Sequence, residues 1–318
     1  MKMKEVGRAG YTSLFTVLTP LKNLSVVREF DPWKSPLCTC PRKYSLHPYT
    51  GCSHYCLYCY ATSYIGLKPS RPKERLLVKL TRDISVIPRG SIIELSTSSD
   101  PYPPIEKLMG LTRKALELLS KSGFRILITT KSDIVVRDID ILANSNSAVM
   151  LTITTLNSEL AKTIEPGAPD PRDRLKSLRI LAEHGVPVGV RVDPIIPFIN
   201  DDPGELLELV DTVADAGAQH IVTSTYKAKW DSLKRLRSRL PDGVGWRISE
   251  LFREKGVFIH GYYYLPSNMR RQLLEPVIKR AKKHNLTYAT CREGFLEFHS
   301  APSCDGSHLA NRLTPSPP

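Results

Sequence analysis

The chain has 318 residues, 41% hydrophobic and 24% charged, the balance of a folded protein with room for one large domain and extensions, or for two modest domains. No run of about 18 apolar residues occurs, so a membrane-spanning helix is not expected. The net charge of +13 is uneven: residues 1–47 carry 8 basic and 3 acidic side chains and residues 226–283 carry 15 and 5, whereas residues 48–225 carry 20 and 21.

Positive charge concentrated beside a neutral core is what a phosphate backbone selects. A solvated basic surface is the plainer reading of the same charge. Residues 9–21 are weakly apolar but broken by Thr, Ser and Pro, without a cleavage site, so no signal peptide is expected. Seven cysteines, an odd number, suit a reducing cytoplasm and metal ligation better than a disulfide framework.

In chain order, β-rich segments fall at 44–49, 92–97, 125–130, 149–154, 188–192 and 220–224. Helical spacing separates them, as in the faces Leu175, Leu178, Leu181, Ala182 and Leu206, Val210, Val213, Ala214. Pro203 sits early in its helix, and Gly185 and Gly217 follow theirs as C-terminal caps. Alternating strands and helices imply right-handed βαβ units and a parallel sheet. Six units are too few for an eight-stranded barrel. Beyond residue 226 the pattern loosens: 227–239 and 275–284 read as basic helices, 257–265 as a strand with three consecutive tyrosines, and 314–318 as a disordered tail. The domain division expected is 1–43, 44–226 and 227–318.

The first strand leads into Cys52-x-x-x-Cys56-x-x-Cys59. Three thiolates in a compact loop with no fourth beside them suit a four-iron cluster that leaves one iron open. A zinc loop completed by His54 or His47, or plain buried thiols, are the competing readings. Ser98, Ser99 and Asp100 end the second strand, where hydroxyls and a carboxylate can accept from an ammonium group. A simple turn is the alternative there. Lys131 ends the third strand and can reach a carboxylate or phosphate. Thr152 and Thr154 on the fourth are candidates for ribose hydroxyls, and Arg191 ends the fifth. Cys38, Cys40, Cys291 and Cys304 remain. Four is the number that closes a second cluster or a zinc site, although Cys38-x-Cys40 is a tight pair and the other two are far apart in sequence.

The cysteine spacing, with aromatic Tyr58 before the last cysteine, resembles that of the radical S-adenosylmethionine (SAM) enzymes. Further segments resemble their spore photoproduct lyase-like branch, over about Pro36 to Tyr226. These are Lys43-Tyr-Ser-Leu-His-Pro-Tyr49, Ser99-Asp-Pro-Tyr-Pro-Pro-Ile-Glu106, Thr130-Lys-Ser132, Arg137-Asp138, Glu165-Pro-Gly-Ala-Pro169, Arg174-Leu175 and Pro194-Ile-Ile-Pro197. The resemblance implies a partial (β/α)6 barrel of TIM type, a [4Fe–4S] cluster on Cys52, Cys56 and Cys59, and SAM. Its reductive cleavage would give a 5′-deoxyadenosyl radical. Tyr58, Ser98, Ser99, Asp100, Lys131, Thr152, Thr154 and Arg191 would contact SAM, and flavodoxin or ferredoxin would donate electrons. At the second strand end this chain reads Thr97-Ser98-Ser99-Asp100, where lyases of this branch carry a hydrogen-donating cysteine. Radical initiation is therefore implied, and thymine-dimer reversal is not. A nucleic-acid substrate, RNA or DNA, is the leading expectation. A modifier of a peptide or small metabolite, and a non-catalytic metal protein that binds nucleic acid, are the alternatives.

Overall fold

A computed structural model of the protein describes residues 24–30, 35–241 and 243–311. The weakly apolar N-terminal stretch and the Pro-rich tail lie outside them. Eight strands form one sheet: β1 (Val27–Glu29), β2 (Tyr44–Leu46), β3 (Ile92–Leu95), β4 (Arg125–Thr130), β5 (Ser147–Thr152), β6 (Val188–Ile195), β7 (His220–Thr225) and β8 (Thr287–Thr290), in that order across the sheet. β1 runs antiparallel to β2, and every other neighbouring pair is parallel. All six expected strands are present, and β8 adds a seventh parallel one. The architecture is a partial (β/α) barrel.

Alternation along the strands sorts two environments. Ile93, Ile126, Ile128, Val149, Leu151, Val190 and Ile221 face outward into the main apolar core. There they meet α1 (Leu76–Ile84), α2 (Leu111–Lys121), α3 (Pro171–Glu183), α4 (Pro203–Asp215) and α7 (Ser267–Lys283). The opposite face carries Ile92, Leu127, Ala148, Met150 and Val222, which are covered by Leu309 and Ala310 of the C-terminal segment. Arg125 fixes that segment by donating to the carbonyls of Ser307 and Ala310, both at 2.9 Å.

Local chemistry starts and stops the helices where needed. Asp170 and Asp202 cap α3 and α4 by accepting from Arg172 N at 2.8 Å and Glu205 N at 2.9 Å, each just ahead of a first-turn proline. Gly185 and Gly217 follow those helices with φ of +70° and +97°.

The C-terminal region differs in detail from its sequence pattern. The helix expected at 227–239 is α5 (Trp230–Arg239), and α6 (Val244–Lys255) follows it. The helix expected at 275–284 begins earlier, because Pro276 lies inside α7 and does not open it. The strand expected at 257–265 is a hairpin, Val257–Ile259 with Tyr262–Tyr264. Its two-residue turn, His260-Gly261, has positive φ at both positions, the geometry that matches strand twist.

Candidate functional site

The C-terminal ends of the parallel strands open onto a cavity of about 230 Å³, where such folds place their chemistry. Cys52, Cys56 and Cys59 line it, together with Tyr58, Ser98, Ser99, Asp100, Lys131 and Arg191. Thr152 and Thr154 are not among the lining residues. β5 ends at Thr152, whose carbonyl accepts from Arg174 at 3.1 Å, and the Thr154 hydroxyl donates to Glu165 at 3.1 Å.

Backbone contacts seat the cysteine loop. Cys52 N donates to Lys68 O at 3.0 Å, Leu57 N to Ile164 O at 2.9 Å, and Gly167 N to His54 O at 2.9 Å. The approach at Gly167 leaves no room for a side chain, since a Cβ there would sit 2.0 Å from Ser53 O. Gly51 has a φ of +71°, and its Cβ would meet Pro69 O at 2.4 Å. α5 grips the loop from outside: Arg235 donates to Cys59 O at 2.7 Å and Leu57 O at 3.2 Å.

Neither nearby histidine is free to complete a zinc loop. His54 directs Nδ1 at Gly167 O, 3.0 Å away, and Nε2 at Asp100 Oδ2, 3.1 Å away. Burial opposes its charged form, but Asp100 outweighs burial and raises its pKa. His47 Nε2 accepts from Thr97 N at 3.1 Å and Ser98 N at 3.2 Å. Burial, aided by Lys73, lowers its pKa to about 4 and keeps it neutral. His47 therefore orients the Thr97-Ser98 turn.

Asp100 is fully engaged, accepting from Thr130 Oγ1 at 2.7 Å, Lys131 N at 2.8 Å and Tyr102 N at 2.9 Å. Burial works against its ionised form, but His54 and these donors hold its pKa down at about 2. Tyr58 gives its hydroxyl to Glu165. Glu165 also pairs with Arg174 at 2.5 Å and lies 3.9 Å from Lys131. Burial favours its neutral form, yet Arg174 and Lys131 keep the carboxyl below its usual range. Arg191 pairs with Asp193, which accepts from Ser224.

Sequence reading did not single out the charged residues that join distant segments here. Glu293 accepts from Thr225 N at 2.8 Å and pairs with Lys227 at 3.0 Å and Arg270 at 2.7 Å. Lys43, buried at the other side, pairs with Glu94 at 2.6 Å and with Asp305. Neither Glu293 nor Lys43 has a local signal, since Lys43 follows Arg42 and Glu293 follows Arg292, so each reads as part of a charged surface stretch.

The donor set fits a four-iron cluster. Three thiols come from one loop, and burial pushes the Cys52 thiol up to about 11, so only coordination to a cation would make it a thiolate at neutral pH. Among the described residues no three Cys, His, Asp or Glu side chains are placed to share one metal ion.

Residues 46–213 match the Radical SAM superfamily, and the chain belongs to that family. It is a radical SAM enzyme, a class that uses a [4Fe–4S] cluster and SAM and takes electrons from a donor. The chain is 33% identical over 214 residues to an uncharacterized protein of Acidianus two-tailed virus, covering 61% of this chain and 70% of the relative. It is 36% identical over 187 residues to an uncharacterized protein of Methanocaldococcus jannaschii, covering 55% and 67%. A spore photoproduct lyase variant with bound AdoMet and dinucleoside spore photoproduct shares the fold, with a TM-score of 0.62, 19% identity and coverage of 81% and 79%. Streptococcus suis SuiB bound to S-adenosylmethionine shares it at a TM-score of 0.51 and 16% identity, over 81% of this chain and 53% of SuiB. No helix among the described residues is long and apolar enough to cross a membrane.

Proposed function

We propose that this enzyme acts on a nucleic acid, drawing a single-stranded or splayed base toward the cavity. The observation that carries this reading is a pair of aromatic and cationic groups on opposite faces of the strand Tyr262–Tyr264, one at the surface and one at the cavity wall. Trp230 and Phe258 are 64% and 62% exposed, and each ring lies 5.1 Å from that of Tyr263. The adjacent Tyr262 meets Tyr60, a cavity residue, at 5.4 Å. Arg292 lies 4.8 Å from both of those rings, and Lys229 lies 4.5 Å from Tyr262. On α5 and α6, Arg237 stacks on exposed Trp246 at 3.7 Å. Stacking platforms interleaved with cations suit unpaired bases and their phosphates. That a protein of the same fold was solved with a dinucleoside photoproduct supports the reading.

On this reading Cys52, Cys56 and Cys59 hold the cluster. Ser98, Ser99, Lys131 and Arg191 offer donors and acceptors for the amino and carboxylate groups of SAM. Asp100 positions Lys131 and His54, its own lone pairs being spent. Held by these residues, a cluster would supply the one-electron reduction by which SAM yields a 5′-deoxyadenosyl radical, a species able to take a substrate hydrogen. A flavodoxin or ferredoxin is the class of donor proposed.

The test is binding of single-stranded oligonucleotides by the cluster-loaded protein across a salt series. The affinity is expected to fall steeply with salt, by a logarithmic slope of about −0.7 per phosphate contacted. Replacing Trp230 and Phe258 by alanine should weaken binding by roughly 5- to 100-fold, as loss of one stacked base would. Binding that is absent at low salt, or indifferent to both substitutions, would contradict the proposal and favour a peptide or small-metabolite substrate.

A further inference from the structure

Four cysteines outside the cluster loop come together in the same cavity wall. Cys38 and Cys40 precede β2, near one edge of the sheet, whereas Cys291 directly follows β8, the strand at the other edge. Cys304 lies on the segment that turns back after β8. Cys40 and Cys304 are 264 residues apart in sequence, yet their sulfurs stand 3.5 Å apart. The Cys38 thiol is hydrogen-bonded to Cys40, and Cys291 is near enough to act electrostatically on both Cys38 and Cys304. Other contacts draw the same two edges together. Lys43 pairs with Asp305, and a Cβ on Gly294 would lie 3.0 Å from the Leu37 side chain.

The Cys40–Cys304 spacing is that of a hydrogen-bonded thiol pair, too wide for a disulfide and compatible with two ligands of one ion. A disulfide needs its sulfurs at about 2.0 Å. With Zn–S bonds of about 2.3 Å, two thiolates on one tetrahedral ion sit about 3.8 Å apart, close to the Cys40–Cys304 separation. Thiolates on different corners of a four-iron cube stand wider than this. No three of the four share a common centre as they stand, so binding would draw Cys38 and Cys291 onto the Cys40–Cys304 edge by side-chain rotation. Lys43 acts electrostatically on Cys40, and Arg191 hydrogen-bonds to Cys291; Glu94, Asp305 and Asp193 already pair with these two cations, so the case for an ion rests on the four gathered thiols.

We propose that Cys38, Cys40, Cys291 and Cys304 bind one thiophilic divalent ion of the zinc class, which clasps the two edges of the curled sheet beside the cavity. This ion is structural and separate from the cluster. All four sites of a tetrahedral ion would be taken by protein, leaving none for substrate.

The experiment uses the full chain with Cys52→Ala, Cys56→Ala and Cys59→Ala combined, so that it reads independently of the radical chemistry. This variant should retain about one zinc per chain by elemental analysis. Exchange for cobalt(II) should give intense sulfur-to-cobalt charge-transfer absorption with tetrahedral ligand-field bands. Adding Cys40→Ser or Cys304→Ser should abolish both signals. Should the combined variant fail to fold, the wild-type protein provides the second measurement, about one zinc alongside about four irons. Three results would overturn the proposal: no bound metal beyond the cluster, about eight irons per chain, or loss of two free thiols to a Cys40–Cys304 disulfide.

Discussion

Glu165 and Gly167 do different work within five residues of Glu165-Pro-Gly-Ala-Pro169. Glu165 is a buried carboxylate holding Tyr58, Thr154 and Arg174. Gly167 lets the same loop lie directly on the backbone of the cysteine loop. A Cβ at Gly167 meets main-chain oxygen, not a flexible side chain, so Gly167→Ala has to displace one loop or the other. The expected result is a folded protein that loses on the order of 2 kcal/mol and most of its iron after reconstitution. Far-UV circular dichroism and iron analysis check it, and a Gly167→Ala protein with full iron content would sink the account of the loop. At this scale the sequence was informative where chemistry is local. Three cysteines, Ser98, Ser99, Asp100 and Lys131 reach one cavity because each follows a strand, whereas Arg191, expected at a strand end, lines it from the middle of β6, which runs on to Ile195. Thr152 and Thr154 do not line it: Arg174 holds the Thr152 carbonyl, and Glu165 takes the Thr154 hydroxyl. That role for Glu165 was hidden in a segment that reads as a rigid turn.

Among the elements, α4 and α7 are joined across the outside of the barrel by a small charge network. Asp211 on α4 lies 2.5 Å from Arg280 and 2.6 Å from His284. Hydrogen bonds from Arg280 are the main cause, with His284 adding to them, that lowers the Asp211 pKa to about 2. A depressed carboxylate stabilises the fold fully above its unfolded value, about 3.9, and loses that contribution as pH falls through about 2. The group is partly exposed, so solvent screening limits the effect to less than about 1 kcal/mol. Asp211→Asn should therefore lower the melting temperature by a degree or a few at pH 6, and by progressively less between pH 4 and pH 2. An equal difference at both ends of that range would exclude the ionised pair as its source. Helix existence was legible here from apolar spacing and from the Asp-Pro starts. The true beginning of α7 was not, because Pro276 reads locally as an opening residue and is carried inside the helix by packing of Leu274, Val277 and Ile278.

Across the whole molecule, the sheet is curled enough to bring its edges within contact. The six strands seen in the sequence are those with apolar runs that need burial on both faces. The seventh, Thr287–Thr290, has only Tyr and Ala between two threonines, and its pairing with β7 supplies what its composition does not. The same curvature gathers Lys43, Glu94 and Asp305, and gathers the four cysteines that no spacing rule could join across 264 residues. It also sets Tyr262 of the C-terminal hairpin beside Tyr60, which follows Cys59 of the cluster loop. The C-terminal region thus supplies a strand, part of the cavity wall and the proposed route for substrate.

The most direct measurement is anaerobic turnover of SAM by the reconstituted protein with a strong reductant, with and without single-stranded RNA or DNA. The account predicts 5′-deoxyadenosine that depends on Cys56, is lost in Cys56→Ala, and increases when nucleic acid is present. A protein carrying its full complement of iron that forms no 5′-deoxyadenosine under any of these conditions would contradict it.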